Sequence, residues 1–249
     1  MDALKMEGVG LTYQTPQRET EALKNVNFTV KKGEFIAIVG PSGCGKTTIL
    51  SLIAGLIRPN SGKVYINGNE INSVSEKIGY MLQKDQLFDW RTVKQNITLG
   101  LEIKKLNLAE NLDYATSLLE KYGLLEFIHH YPYQLSGGMR QRVALIRTLA
   151  FKPEVLLLDE PFSALDFQTR LAVCDDVYKI IKNENKTTVL VTHDISEAVS
   201  LADKIIVLTK RPATVKNVYE IKIDKPTPFL KREDPNFSKW FNTIWKEVV

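Results

Sequence analysis

A glycine-rich segment that ends in a lysine and a threonine is the first candidate for chemistry. It reads Gly40, Pro41, Ser42, Gly43, Cys44, Gly45, Lys46 and Thr47, and Thr48 follows it directly. Glycines let backbone N–H groups turn inward around phosphate oxygens, and a helix that begins there adds a favourable dipole. Lys46 is then expected to bind the β- and γ-phosphates, and Thr47 to offer its hydroxyl to Mg²⁺. We predict a nucleotide-binding loop over these nine residues; the alternative is a tight strand-to-helix turn without a ligand.

A second candidate is the apolar run Val155–Leu158, which ends in the two carboxylates Asp159 and Glu160. A continuous apolar run of this kind is typical of a strand buried on both faces. At the end of such a strand, facing a phosphate loop, Asp159 suits Mg²⁺ directly or through water. Glu160 could polarise a water that attacks the γ-phosphate. A strand that ends in Asp-Glu is common, so this prediction depends on the phosphate loop beside it.

The segment Leu135–Arg142, which reads LSGGMRQR, carries a third candidate. Ser136, Gly137 and Gly138 stand before a predicted long helix, so they form a second potential anion-binding helix N-terminus. One nucleotide does not need two such loops from one chain. The surplus suggests a composite site, in which this loop covers a nucleotide held by a partner subunit. The alternative is a helix start that Ser136 caps whether or not it meets a phosphate.

Together these segments resemble the ABC (ATP-binding cassette) ATPase family. All six family segments occur in family order over about residues 4–210: Walker A at Gly40–Thr47, the Q-loop Gln83, the signature Leu135–Arg142, Walker B at Asp159–Glu160, the D-loop Ser163–Asp166 and the switch His193. The chain is also similar in sequence to the nitrate, sulfonate and taurine importer branch of this family, at Met139, residues 83–90, residues 161–166 and Lys210–Ala213. Met139 departs from the glutamine of many members, but the contacting groups are the serine hydroxyl and the glycine amides.

The resemblance implies further roles that spacing alone does not show. Gln83 would sense Mg²⁺ and the γ-phosphate, which makes it both a catalytic and a metal-binding residue, and His193 would hold the γ-phosphate and the attacking water. Two further residues join the nucleotide-binding set. Asp166 belongs to it through the D-loop, and Tyr13 matches the aromatic that stacks on adenine. For Tyr13, packing in a strand core is the alternative. Ser136 and Gly138, with Gly137 between them, would bind the γ-phosphate of the opposing subunit's ATP.

The elements that must position these residues alternate between strands and helices, which implies a mainly parallel sheet with its ligand at the carboxyl ends of the strands. The predicted fold is α/β: a P-loop NTPase core, an N-terminal antiparallel β subdomain and an inserted helical subdomain. The ATPase domain would span 1–210, with its core at 1–85 and 153–210 and the insertion at about 86–152. A short C-terminal extension, 211–249, would follow. The turn Lys31–Gly33 predicts a hairpin between Phe28–Val30 and Phe35–Val39.

Composition narrows the classes of function. No apolar stretch is long enough for a membrane helix, so any membrane span would belong to another polypeptide. The net charge of +4 equals the excess of nine basic over five acidic residues in Lys210–Val249. This excess of positive charge is too small for a nucleic-acid-binding surface, which usually carries a dense stripe of basic residues. Cys44 and Cys174 stand far apart without a secretory leader, which indicates reduced thiols in a cytosolic protein.

Three classes of function compete. The first is an ABC importer motor that hydrolyses ATP with Mg²⁺, dimerises with a second copy or a paralogue, and drives transmembrane permease subunits. Its place would be the cytoplasmic face of the membrane, as a peripheral protein, and an extracytoplasmic solute-binding protein would be an indirect partner. The second is an ABC ATPase acting on nucleic acid or ribosomes; the 53 positions between Gln83 and Ser136 leave no room for coiled-coil arms. The third, a P-loop kinase or GTPase, lacks a signature loop.

Within the family resemblance, one groove is expected to meet the permease. The segment Leu87–Trp90 puts three large apolar residues beside Gln83, where the core meets the helical subdomain. In the family this groove receives a short cytoplasmic helix of the membrane partner. Packing inside the subdomain is the alternative for each of the three.

Overall fold

The computed structural model describes residues 2–16, 18–104 and 108–248, without the side chains of 108–110. Its strands are β1 Asp2–Thr15, β2 Arg18–Lys31, β3 Phe35–Val39, β4 Ser61–Ile66, β5 Asn69–Glu70, β6 Ile78–Met81, β7 Val155–Asp159, β8 Thr187–Val191, β9 Lys204–Leu208 and β10 Val215–Glu220. Its α-helices are α1 Lys46–Ile53, α2 Val93–Lys104, α3 Leu108–Lys121, α4 Gly137–Leu149, α5 Phe167–Asn183, α6 Ile195–Leu201, α7 Pro228–Glu233 and α8 Pro235–Val248. Val249, the last residue of the predicted extension 211–249, lies outside the described residues.

A six-stranded sheet forms the centre, in the order β10-β9-β3-β8-β7-β6. Five strands run parallel, and β10 pairs antiparallel with β9 at one edge. Every residue of β3, β7 and β8 is buried. Alternate residues of β3 belong to different apolar clusters, with Phe35 and Ala37 in one and Ile36 and Ile38 in the other. The sheet is therefore covered on both faces, as a mainly parallel sheet requires.

The carboxyl ends of three neighbouring strands position the candidate site. The phosphate loop follows β3, Glu160 follows β7, and His193 lies two residues beyond β8. Because β3, β8 and β7 are adjacent in the sheet and parallel, all three segments emerge at the same edge. This edge is where open α/β sheets bind their ligands.

The N-terminal strands form a separate antiparallel sheet in the order β2-β1-β4-β5. The prediction of a hairpin at Lys31–Gly33 is wrong, because β2 ends in this sheet while β3 belongs to the central one. The physical reason lies in burial: β3 is apolar throughout and buried on both faces, whereas Phe28 and Val30 of β2 alternate with residues that are partly or fully exposed. Gly33, at φ 76°, turns the chain from one sheet to the other.

Helices α2, α3 and α4 lie between β6 and β7, where the sequence predicts a helical insertion. Ala115, Leu118 and Leu119 of α3 are buried, in agreement with their helical spacing. The bounds of about 86 and 152 for this subdomain stay a prediction. After β9 the chain continues as β10, α7 and α8, and Ile244 of α8 is fully buried with Trp240 packed beside it. No helix among the described residues has the length and apolar character to cross a bilayer.

Candidate functional site

The phosphate loop is closed by its own lysine. The Lys46 ammonium donates to the carbonyl of Gly40 at 2.8 Å and to that of Pro41 at 3.0 Å. Gly43 and Gly45 adopt φ values of 70° and 120°, which favour glycine, and a Cβ on Gly45 would come within 2.9 Å of a neighbouring leucine methyl group. Helix α1 begins at Lys46, so its unpaired N–H groups face the loop. The loop can therefore surround phosphate oxygens with amides and one buried ammonium.

Asp159 is held between two hydroxyl groups at the end of β7. Thr47 Oγ1 donates to Asp159 Oδ1 at 3.2 Å, and Tyr80 Oη donates to Asp159 Oδ2 at 3.3 Å. Burial raises the pKa of Asp159, and burial beside this carboxylate raises the pKa of Tyr80. Tyr80 was not among the predicted residues, because only the pairing of β6 with β7 brings it to the site.

The oxygen groups of Thr47 and Asp159 fit Mg²⁺, which prefers one or two protein oxygens and takes its remaining ligands from water and substrate phosphates. In the part of the chain that the structure describes, no group of three or more His, Cys, Asp or Glu side chains could hold a metal without a substrate. This donor set fits an ion that arrives with a nucleotide.

The Glu160 carboxylate contacts the side chains of the other two predicted catalytic residues. Gln83 Nε2 donates to Glu160 Oε2 at 3.2 Å, and His193 Nδ1 lies 3.1 Å from the same oxygen. Glu160 adopts a φ of 45°, a strained conformation for a residue with a side chain, and its backbone N–H donates to the carbonyl of Val191. Backbone strain of this kind clusters at functional sites, and the Glu160 side chain faces the same space as the phosphate loop.

One cavity of about 630 Å³ is lined by half of the predicted site residues. Its lining residues are Ser42, Gly43, Gly45, Lys46, Thr47, Thr48, Gln83, Glu160, His193 and Arg211. Tyr13 stands beside it, with its hydroxyl 3.1 Å from Thr48 Oγ1 and 43% of its surface exposed, so it does not pack in a strand core. The thiol of Cys44 is buried, which raises its pKa, and so takes no part in the lining.

Arg211 is a cavity residue that the sequence analysis did not assign. Its Nη2 donates to the carbonyl of Gly43 at 2.5 Å, across 168 positions of sequence. The sequence alone gave no signal for this residue, because its contact with Gly43 depends on the pairing of β9 with β3.

The signature residues are not among those that line the cavity. Ser136 caps α4 by accepting from the N–H of Met139 at 3.3 Å, and a Cβ on Gly138 would come 2.7 Å from a methyl group of Val173. Asp166 caps α5 by accepting from the N–H of Thr169, which lowers the pKa of Asp166. A single chain therefore presents two separate groups of predicted nucleotide-binding residues.

A phosphate loop at the carboxyl edge of a parallel sheet, with a carboxylate pair on a nearby strand, defines the P-loop class of nucleoside triphosphatases. A family model described as ABC transporter matches residues 23–163. The chain belongs to the ABC transporter family.

Relatives agree with this assignment over nearly their whole length. An uncharacterized ABC transporter ATP-binding protein, YtlC of Bacillus subtilis, is 47% identical over 100% of this chain and 96% of its own. The taurine import ATP-binding protein TauB of Pelagibacter ubique is 42% identical over 89% and 84%. The nitrate import ATP-binding protein NrtD of a Synechocystis strain is 40% identical over 90% and 86%. The predicted resemblance to this importer branch is confirmed.

A solved relative confirms the fold. The dimeric post-hydrolysis state of the ATP-binding cassette MJ0796, bound to ADP and Pi, has a TM-score of 0.72 at 34% identity and covers 88% of this chain and 99% of its own. The chain is an ATP-binding and ATP-hydrolysing subunit of an ABC transporter, as the sequence predicts.

Proposed function

We propose that the chain powers import of a small solute as one of two subunits that enclose ATP between them. One observation carries this proposal: the phosphate loop, Glu160 and His193 line one cavity, whereas Ser136–Gly138 cap a different helix outside it. Both groups present helix N-termini, which attract phosphate. A second copy, facing the first, would bring its own Ser136–Gly138 to the open side of the cavity.

Within one chain, the loop of Gly40–Thr48 would bind the phosphates and Lys46 would balance their charge. Thr47, Asp159 and Gln83 would hold Mg²⁺, which would neutralise negative charge on the β- and γ-phosphate oxygens. Glu160 would orient and deprotonate the attacking water, and its contacts to Gln83 and His193 would keep its carboxylate at that position.

Further contacts complete the proposed nucleotide site. Tyr13 would stack on adenine, because its ring is exposed and tied to Thr48 at the cavity edge. Ser136, Gly137 and Gly138 would bind the γ-phosphate of ATP on the partner subunit, and Asp166 would lie at the same face. The partner would be a second copy or a paralogue, and the dimeric solved cassettes support this assembly.

The proposed solute is similar to nitrate, a sulfonate or taurine, since relatives are named for the import of nitrate and of taurine. Transmembrane permease subunits would carry it, an extracytoplasmic binding protein would deliver it, and this chain would attach to the cytoplasmic face of the membrane as a peripheral protein. Nucleic acid is not a proposed partner. We retain the domain division at 1–85, 86–152, 153–210 and 211–249 as part of the proposal, since the permease would contact the 86–152 subdomain.

Purification of the tagged chain from its native host tests the import function. We expect the membrane subunits to co-purify and, after reconstitution in liposomes, to take up the solute held by the associated binding protein. Uptake should require ATP on the side of this chain and should not occur with ADP. Solute movement in the opposite direction, or a complex with no membrane subunit, would refute the proposal.

The proposed permease contact is a surface beside Gln83. Leu87 is buried and belongs to the core, but Trp90 is 73% exposed and its ring lies tilted against that of Phe88, with centroids 4.7 Å apart. Arg140 of α4 forms an ion pair with Asp85 at 2.8 Å, which ties this surface to the helix that follows Ser136. Exposed apolar rings on a part of the surface that is held in place by such contacts are typical of binding surfaces.

Substitution Trp90→Ala should reduce transport more than basal ATPase activity, because the exposed indole would support the contact with the permease and is not among the residues that line the cavity. Uptake and ATPase rates of the reconstituted complex are the measurement. Trp245→Ala is the matched control: Trp245 is 51% exposed on α8 and also contacts a phenylalanine ring, with centroids 6.0 Å apart. Equal loss of uptake and basal ATPase activity, with a lowered Tm, would instead mean that Trp90 stabilises the fold.

A further inference from the structure

The side chain of Arg170 joins two loops that border the site. Arg170 lies in the first turn of α5, and its Nη2 donates to the carbonyl of Leu165 at 3.0 Å. Its Nη1 donates to Asp194 Oδ2 at 3.3 Å. Leu165 belongs to the loop that follows Glu160, and Asp194 is the residue directly after His193. One guanidinium therefore connects the loop after β7 with the loop after β8.

Asp194 fixes the backbone on one side of His193. Its Oδ1 accepts from the N–H groups of Ser196 and Glu197, at 2.8 and 3.2 Å, and so caps α6. On the other side, Thr192 Oγ1 donates to Glu197 Oε2 at 2.7 Å and accepts from the N–H of Asp194. The imidazole itself is 62% exposed and contacts Glu160. Its position therefore depends on how firmly the backbone at Thr192–Asp194 is held.

The geometry needs an arginine. A planar guanidinium can donate to two acceptors in fixed directions, which the single ammonium of lysine does not reproduce. The Nε atom of Arg170 is buried without a hydrogen-bond partner, and it lies 3.9 Å from Glu197 Oε1. A buried donor without a partner is unfavourable for stability. The arrangement is better explained by what the two Nη groups connect than by the stability it adds.

We propose that Arg170 is a positioning residue for ATP hydrolysis, which holds His193 at Glu160 by bridging Leu165 and Asp194. The proposal rests on the proposed function, since it assumes that Glu160 and His193 act on the attacking water. Arg170 does not line the cavity, so it acts through the two loops and not through contact with ATP. Movement of either loop would displace His193 from the Glu160 carboxylate.

Steady-state kinetics of Arg170→Gln and Arg170→Lys test this role. Small displacements of a catalytic group lower rates by roughly ten- to a hundredfold, so kcat of Arg170→Gln should fall by about that factor. KM and the equilibrium affinity for ATP should stay at the wild-type values, because the phosphate loop is untouched. Arg170→Lys should recover part of kcat, since its ammonium can donate to one of the two acceptors.

A lysine on the same helix provides the matched control. Lys182 Nζ donates to Asp203 Oδ2 at 2.9 Å, so it also ties α5 to the chain beyond α6, but at the start of β9, whereas His193 follows the end of the parallel strand β8. Lys182→Ala should keep the wild-type kcat. The chain has three histidines, His129, His130 and His193, which makes their imidazole NMR signals easy to assign. Only the His193 signal should shift in Arg170→Gln, and none should shift in Lys182→Ala.

A wild-type kcat with an unshifted His193 signal in Arg170→Gln would overturn the proposal, and so would a loss of kcat no larger than that of Lys182→Ala. If Arg170→Gln does not fold, Asp194→Asn decides, because asparagine can still cap α6 but loses the charge that attracts Arg170. The two proposals fail separately. Wild-type turnover by Glu160→Gln refutes the proposed role of Glu160, on which this inference rests, whereas an inactive Glu160→Gln beside a fully active Arg170→Gln refutes this inference alone.

Discussion

A Glu160→Gln variant is expected to bind ATP and leave it uncleaved. Glutamine keeps the shape of the side chain and can still contact Gln83 and His193, but it loses the charge and basicity that would activate water. Loss of a general base lowers kcat by roughly 10²–10⁴-fold. Single-turnover hydrolysis and equilibrium ATP binding, measured on the same preparation, separate the chemical step from affinity.

Glu154→Gln is the matched control for this variant. Glu154 directly precedes β7, so it stands at the opposite end of the strand that leads to Glu160, where it pairs with Lys77. The control should hydrolyse ATP at the wild-type rate. Near-normal turnover by Glu160→Gln would move the catalytic base to another residue.

The second large effect is expected for Lys46→Ala, which should weaken ATP binding and abolish hydrolysis while the fold remains intact. The Lys46 ammonium is buried in the loop and held by two backbone carbonyls, so it would meet the phosphates without first losing conformational freedom. Hydrogen bonds to charged groups contribute about 1.5–3 kcal/mol, which corresponds to roughly a ten- to hundredfold rise in Kd.

Equilibrium nucleotide binding and a thermal unfolding curve test the lysine variant. Lys210→Ala is the control, because Lys210 is exposed next to Arg211 but does not line the cavity. It removes one positive charge near the site and should leave ATP affinity unchanged. An unchanged affinity in Lys46→Ala would remove this residue from its proposed role.

The central part of the site could be predicted because its signals are local. The glycines at 43 and 45 are required by their own backbone angles, and the lysine follows them directly. Asp159 and Glu160 mark the end of a strand that is apolar throughout, and parallel strands bring such ends to one edge of the sheet. The residue types in these short segments and a general rule of sheet topology were sufficient to predict this part of the site.

Other features depend on contacts between distant residues, and these could not be read from the chain. Arg211 meets Gly43 only because β9 pairs with β3, and Tyr80 meets Asp159 only because β6 pairs with β7. The hairpin prediction at Lys31–Gly33 failed for a related reason: a local turn pattern does not reveal that the next strand joins a different sheet. The separation of Ser136 from the cavity was anticipated from the surplus of anion-binding loops, but its geometry needed the structure.

The central claim is that two chains enclose ATP, with Ser136–Gly138 of one covering phosphates held by the other. Size-exclusion chromatography with light scattering on the Glu160→Gln protein tests this directly, with all samples at the same high protein concentration. With ATP we expect twice the chain mass of 28.2 kDa, and with ADP the single mass. Adding Ser136→Arg should abolish the dimer, because a bulky side chain blocks the approach to phosphate, whereas adding Ser117→Arg on the exposed face of α3 should not. An ATP-dependent dimer that survives Ser136→Arg would contradict the account.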